Sequence, residues 1–214
     1  MTSPLPKRPV VFLDRDGTLS EEIGYIHAAD LPRYRLLPGV AGALVRLRRA
    51  GYALVCLTNQ SGVGRGYFGA DMVEKVHARL RELLREQGAE LDAVYYCPHH
   101  PDPLAPADNG GLPQGRVKSD PVPALCVECD CRKPKPGLAE RAARELGLGL
   151  DGGWMVGDKQ ADLGLAAAAG LKGVLVLTGY GRDTLKNLEA TGRAPEYVAT
   201  DLGAVADLIL GAAA

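Results

Sequence analysis

Much of what usually betrays a protein's partners is missing from these 214 residues. Net charge is almost absent: 25 basic against 26 acidic residues leave −1. Nothing therefore favours a general hold on nucleic acid or an anionic membrane. A basic stripe interleaved with aromatics, the usual platform for single strands, is also lacking. No apolar run approaches the ~20 residues of a membrane span. The opening "MTSPLPKRP" has no apolar leader core, so the expectation is a cytoplasmic chain. Internal repeats and low-complexity tails are absent too. What remains, 46% apolar and 24% charged residues, is ordinary for a globular protein. The length allows one large domain spanning residues 1–214, with an elaborated insert.

Apolar, β-branched runs alternate with helical patterns. "RPVVFL", "YALVCLT", "LDAVYYC", "GGWMVG", "KGVLVLT" and a short "PEYVAT" read as strands. Between them lie helices such as "PGVAGALVRLRRAG", with Pro38 near its start and Gly51 as its stop. In "GADMVEKVHARLRELLREQG", Met72, Val76, Leu80, Leu83 and Leu84 form one apolar stripe. This βαβαβ…αβαβ order predicts a Rossmann-like, doubly wound α/β domain: a mainly parallel sheet with helices on both faces and no separate cap domain. Only from Pro98 to about Val127 does the pattern vanish into Pro, Gly, Asp and Asn, an interruption too long for an ordinary connection.

The stretch "VVFLDRDGTL" poses a chemical question. A buried strand runs straight into Asp14 and Asp16, and an unpaired buried carboxylate is costly. Two other strands deliver polar groups to the same carboxyl edge, where α/β folds bind ligands: "TNQSG" from Thr58 to Gly62, and "GDKQAD" with Asp158 directly after Gly157. Any one of these is weak; an Asp after a strand is often a helix cap. Together they suit phosphoryl transfer, with an ionised aspartate as nucleophile and Mg²⁺ relieving its repulsion from the phosphate. Residues two apart on a strand share a face. If the extended geometry persists, Asp16 reaches the same phosphate as Asp14 and serves as general acid and base. Arg15 then points away, and Gly17 permits a sharp bend.

Five cysteines complete the picture. Cys56, inside "YALVCLT", is a small core residue. Cys97, Cys126, Cys129 and Cys131 cluster in one region with His99 and His100. In a cytoplasmic chain this composition reads as a metal site before a disulfide. Three thiolates and an imidazole suit tetrahedral zinc, which would staple the irregular loop at about 97–131. The spacing leaves both C-x-x-C (Cys126, Cys129) and C-x-C (Cys129, Cys131) open.

"DRDGT", the Thr ending the second strand, a Lys ahead of a later helix and "GDKQAD" together resemble the haloacid dehalogenase superfamily of phosphohydrolases, in the right order and over nearly the whole chain. The resemblance implies Asp14 as nucleophile and Asp16 as general acid and base, with Thr58 and Lys133 on the transferring phosphoryl group. Mg²⁺ would be held by Asp14, the Asp16 carbonyl and Asp158. "FLDRDGTL", "EEIGYI", "LTNQSGVGRGYF", "CPHHP" and "CDCRKPKPG" are similar to a zinc-containing bacterial subgroup, which implies Zn²⁺ on Cys97, His99, Cys129 and Cys131, with Cys126 spare. It also implies substrate contacts at Arg15, Glu22, Gly24, Tyr25, Asn59, Gln60, Ser61, Arg132 and Lys159. A guanidinium such as Arg132 suits the phosphate that is not cleaved.

The activity this implies is removal of the 7-phosphate of D-glycero-D-manno-heptose 1,7-bisphosphate by a monomer, a step toward lipopolysaccharide precursors. The same chemistry on histidinol phosphate is the alternative, with Glu21, Glu22 or Asp30 facing its ammonium. A nucleic-acid end-processing or binding module is a different class, disfavoured by the charge balance. The loop departs from the subgroup by its length, and its Arg116 and Lys118 are further candidate phosphate contacts.

Overall fold

The strands of this protein are apolar on both faces because both faces are covered. In the computed structural model, residues 7–25, 28–102 and 120–211 are described. They form six parallel strands: β1 (Pro9–Leu13), β2 (Ala53–Asn59), β3 (Ala93–Cys97), β4 (Gly149–Gly157), β5 (Lys172–Val176) and β6 (Tyr197–Ala199). Helices α1 (Val40–Arg49), α2 (Ala70–Glu86), α3 (Gly137–Leu146), α4 (Gln160–Ala169), α5 (Gly181–Ala190) and α6 (Leu202–Gly211) complete the frame. Strand order is β3-β2-β1-β4-β5-β6.

Alternation along the strands divides the core. Val11 and Leu13 of β1, Leu54 and Cys56 of β2, and Trp154 and Val156 of β4 face one layer with α1, α2 and α6. Val10, Phe12, Val55, Leu57 and Met155 face the other, against α3 and α4. The expected α2 stripe of Met72, Val76, Leu80, Leu83 and Leu84 is buried throughout. Each such side chain stabilises the fold by about 1.5–3 kcal/mol. Cys56 is likewise core.

Two details differ from the sequence pattern. β4 begins at Gly149 rather than Gly152, because Pro9 pairs with Gly149 before a register shift brings Val11 opposite Trp154. The extra residues are exposed or half-buried, so they carry no apolar signature. Extended geometry also stops at Leu13: the Arg15 carbonyl accepts from the amides of Leu19 and Ser20, turning the chain sharply. No separate cap domain is present among the described residues. Arg116 and Lys118 lie outside them. No described helix is long and apolar enough to cross a membrane.

The strand order places the site. The chain moves outward from β1 to β3, then returns to lay β4 against the other side of β1. That reversal opens a crevice at the carboxyl ends of β1 and β4. Both aspartate motifs project there.

Candidate active site

Asp14 follows β1 and is 4% exposed. One of its oxygens, Oδ1, accepts from the Arg15 amide at 2.7 Å and lies 2.8 Å from the Lys133 ammonium. Lys133 is equally buried, lies 2.7 Å from Asp162 Oδ1 and donates to the Leu57 carbonyl at 2.9 Å. Burial opposes its charge, but Asp14 and Asp162 outweigh that and raise its pKa above the usual lysine range.

Asp158 completes the cluster: Asp14, Asp158 and Asp162 bring carboxylate oxygens within 4.8 Å of one another. Its Oδ2 accepts from the Tyr180 amide at 2.8 Å. Its Oδ1 is buried with no hydrogen-bond donor among the described residues; the Lys159 ammonium is 4.0 Å away and already engaged with Glu22 at 2.8 Å. Burial first, then the charges of Asp14 and Asp162, push Asp158 up to about 7 despite Lys159 and the Tyr180 amide. Three carboxyl groups share one contacting ammonium, so the cluster holds more acid than that cation offsets. An orphaned carboxylate oxygen in such a hard-oxygen cluster is what a divalent cation such as Mg²⁺ fits.

The backbone packs tightly around Asp158. Gly17 has φ +82°, and a Cβ there would lie 2.2 Å from Asp158 Oδ2. At Gly179, with φ +52°, a Cβ would come within 2.3 Å of the same oxygen. Both positions need glycine, for conformation and for space.

Asp16 lines the same cavity, but its carboxylate is bound from behind by Arg15, Nε to Oδ1 at 2.9 Å and Nη2 to Oδ2 at 2.7 Å. Burial raises its pKa, yet Arg15, with help from Lys159 and Gln60, holds it below the usual carboxylate range. Arg15 itself is 1% exposed and does not line the cavity. Its place as a substrate contact is thus corrected: the guanidinium is buried and turned onto the Asp16 carboxylate instead.

The remaining expected residues line a cavity of ≈ 1190 Å³: Glu22, Gly24, Tyr25, Thr58, Asn59, Gln60, Ser61, Arg132 and Lys159. Several carry structural duties. Asn59 clamps the Lys133 backbone through two 3.1 Å bonds. The Gln60 amide donates to Asp16 Oδ2 at 3.1 Å and to Thr58 Oγ1 at 2.9 Å. Glu22 accepts from the Gly24 amide at 2.9 Å and pairs with Lys159.

Two residues had not been assigned a role. Asp162 holds Lys133 and, through Oδ2, caps α4 by accepting from the Lys159 amide at 3.0 Å. Its signal was present in "GDKQAD", where an acid four residues after Asp158 falls on the helix's first turn. Tyr180 supplies both the amide on Asp158 and a ring 5.0 Å from the Lys159 ammonium. Nothing in "LTGYGRD" marked it.

A second cluster lies on the loop. Cys97, His99, Cys129 and Cys131 converge: His99 Nδ1 is 3.2 Å from Cys131 Sγ, and the Cys131 sulfur is 3.2 Å from that of Cys97 and 3.4 Å from that of Cys129. Ligands of tetrahedral zinc with Zn–S bonds near 2.3 Å stand about 3.8 Å apart. The donor set and spacing fit a metal. The close contact between the Cys97 and Cys131 sulfurs, ahead of those with Cys129 and His99, brings Cys131 down to about 5 and raises Cys97. Cys126 stays outside, donating to the Val122 carbonyl at 3.1 Å. Among the described residues the C-x-C grouping is the one assembled.

Fold and crevice together define a haloacid dehalogenase-like hydrolase. A family model described as HAD-hydrolase-like matches residues 130–205. The chain is 42% identical over 203 residues, 94% of its length and 95% of the relative's, to D-glycero-D-manno-heptose-1,7-bisphosphate 7-phosphatase of Thermosynechococcus vestitus. It is 38% identical over 204 residues, 95% and 98% of the two chains, to D-glycero-beta-D-manno-heptose-1,7-bisphosphate 7-phosphatase of Pseudomonas aeruginosa. Among solved structures, D,D-heptose 1,7-bisphosphate phosphatase from B. bronchiseptica, complexed with magnesium and phosphate, matches with TM-score 0.73 and 34% identity, covering 95% of this chain and 99% of that one. The chain belongs to the haloacid dehalogenase-like phosphatases, in the group of these heptose-bisphosphate enzymes.

Proposed function

We propose that this phosphatase removes the 7-phosphate of D-glycero-D-manno-heptose 1,7-bisphosphate through an aspartyl phosphate on Asp14. The observation that carries the reading is the buried Asp14–Lys133–Asp162 chain beside the orphaned oxygen of Asp158, in a chain alike to such enzymes over 94% of its length. The Asp14 and Asp158 side chains and the Asp16 carbonyl would hold Mg²⁺, which when bound offsets the negative charge of nucleophile and phosphate. Lys133 and Thr58 bind phosphoryl oxygens, Lys133 also orienting Asp14. Asp16 gives a proton to the leaving oxygen and takes one from the attacking water. Arg132 grips the phosphate at the sugar's other end, and Glu22, Gly24, Tyr25, Ser61 and Lys159 border the sugar.

Cys97, His99, Cys129 and Cys131 would hold Zn²⁺ and so fix Arg132 and Lys133, the two residues immediately following. Residues 1–214 act as one catalytic unit, monomeric and cytoplasmic, with neither nucleic acid nor membrane as partner. The Glu22 carboxylate is occupied by Lys159, which disfavours an ammonium-bearing substrate such as histidinol phosphate.

The test is phosphate release with Mg²⁺, comparing kcat/KM for both anomers of the heptose bisphosphate with histidinol phosphate. A preference of about a hundredfold for one heptose anomer, roughly 2.7 kcal/mol of transition-state discrimination, is expected. A preference for histidinol phosphate, or none, would sink the substrate assignment while leaving the phosphatase chemistry.

A further inference from the structure

Arg15 is a buried charged side chain that the proposed chemistry leaves unused. It stands between the two acids in sequence, but its guanidinium lies behind the crevice, 1% exposed. A guanidinium cannot shed its charge, so burial obliges it to find an anion. Among the described residues its salt-bridge partner is Asp16, and its Nη1 is buried without an acceptor. The fork meets both carboxylate oxygens, at 2.9 and 2.7 Å. Two parallel bonds fix the plane of a carboxylate as well as its position, which a lysine's point charge does not. The segment carrying the fork is itself pinned: the Arg15 amide donates to Asp14, and its carbonyl accepts from Leu19 at 2.9 Å and Ser20 at 3.0 Å.

We infer that Arg15 is a positioning residue for proton transfer: from outside the cavity its fork fixes the plane of the Asp16 carboxyl group, so that Asp16 meets both reacting oxygens in one orientation. The inference rests on the proposed role of Asp16. In the first half-reaction an Asp14 oxygen bonds to phosphorus. The bond from phosphorus to the sugar oxygen breaks, its electron pair stays on that oxygen, and the oxygen takes the Asp16 proton. In the second, a water oxygen bonds to phosphorus, its proton passes to the Asp16 carboxylate, and the pair of the phosphorus–Asp14 bond returns to Asp14. Both transfers depend on where Asp16 points.

Leaving groups separate positioning from general damage. A sugar alkoxide needs the proton, whereas p-nitrophenolate leaves without one. Arg15→Lys keeps the charge and removes the fork. It should lower kcat/KM for the heptose bisphosphate about tenfold more than for p-nitrophenyl phosphate, the signature expected of Asp16→Asn itself. In an Asp16→Asn background the same substitution should cost less than about twofold further. Equal loss on both substrates, or an undiminished loss in that background, would overturn the inference. If Asp16→Asn kept full activity on both, the proton-transfer reading of Asp16 would fall, and this inference with it. Should Arg15→Lys fail to fold, the melting temperature of Asp16→Asn decides. Stranding a buried guanidinium should lower it by roughly 5 °C or more; an unchanged value overturns the pairing on which the inference stands.

Discussion

The crevice and the loop each crowd like ligands into a few ångströms, and they are held by opposite means. Asp14, Asp158 and Asp162 stand at the ends of β1 and β4 and in the first turn of α4, all nearly inaccessible. Hydrogen bonds of the parallel sheet and two apolar layers fix them, and burial first, then the neighbouring carboxylates, raises the pKa values of Asp158 and Asp162. The Cys/His cluster joins Cys97, the last residue of β3, to irregular chain tied by a few backbone bonds: Gly64 to Pro98 at 3.0 Å, His100 to Leu125 at 3.1 Å and Gly137 to Asp130 at 3.0 Å. A rigid scaffold can hold a charge-frustrated site before its cation arrives. The loop half of the Cys/His cluster has less of that support, and a metal bound there would contribute folding free energy.

Asp14→Asn strikes the rigid site hardest. The amide cannot attack phosphorus, and its shape suits the same pocket. Turnover should fall by about four orders of magnitude, roughly 5 kcal/mol of barrier, with circular dichroism unchanged. Substantial residual turnover would remove Asp14 as nucleophile.

Breaking the loop site should look different. Cys129→Ser should lose zinc, lower the melting temperature by about 5 °C and raise KM more than it lowers kcat, since Arg132 and Lys133 follow the cluster directly. Cys126→Ser, outside the cluster, should keep its zinc by elemental analysis. The reverse pattern of retention would hand the site to the C-x-x-C pair.

Gly17→Ala sharpens the contrast by disturbing the scaffold without removing a ligand. Its Cβ would overlap Asp158 Oδ2 at 2.2 Å, at φ +82°. The left-handed conformation costs about 1–2 kcal/mol, and Asp158 must shift. The Mg²⁺ concentration for half-maximal rate should rise about tenfold. An unaltered Mg²⁺ requirement would mean that the Gly17–Asp158 contact does not set the cation site.

Much of this was legible in the sequence because it follows local rules. Continuous apolar runs marked strands covered on both faces, and the order of elements placed Asp14 and Asp158 at one edge. The loop ligands needed more, since spacing alone left Cys126 and Cys131 competing. Asp162 was visible as an acid four residues beyond Asp158, but its grip on Lys133 spans a tertiary contact that no local pattern encodes. Arg15 shows where alternation stops: the chain turns after Leu13, and the guanidinium curls back onto Asp16.

His77, outside both clusters, offers a baseline for the other two sites. It lies within α2, 4% exposed, with Nε2 lacking a hydrogen-bond partner among the described residues and Tyr96 edge-on at 5.6 Å. Burial, then the charges of Arg15 and Arg81, depress its pKa to about 3. Because that lies below the unfolded value of about 6.5, the unfolded chain binds more protons between the two. The stabilisation is complete above pH ~6.5 and is lost as pH falls toward 3. From pH 7 to pH 5 the loss should be about 2 kcal/mol, measured as urea midpoints. In His77→Leu that contribution should disappear and the slope over this range should flatten; an unchanged slope would place the acid sensitivity in other groups.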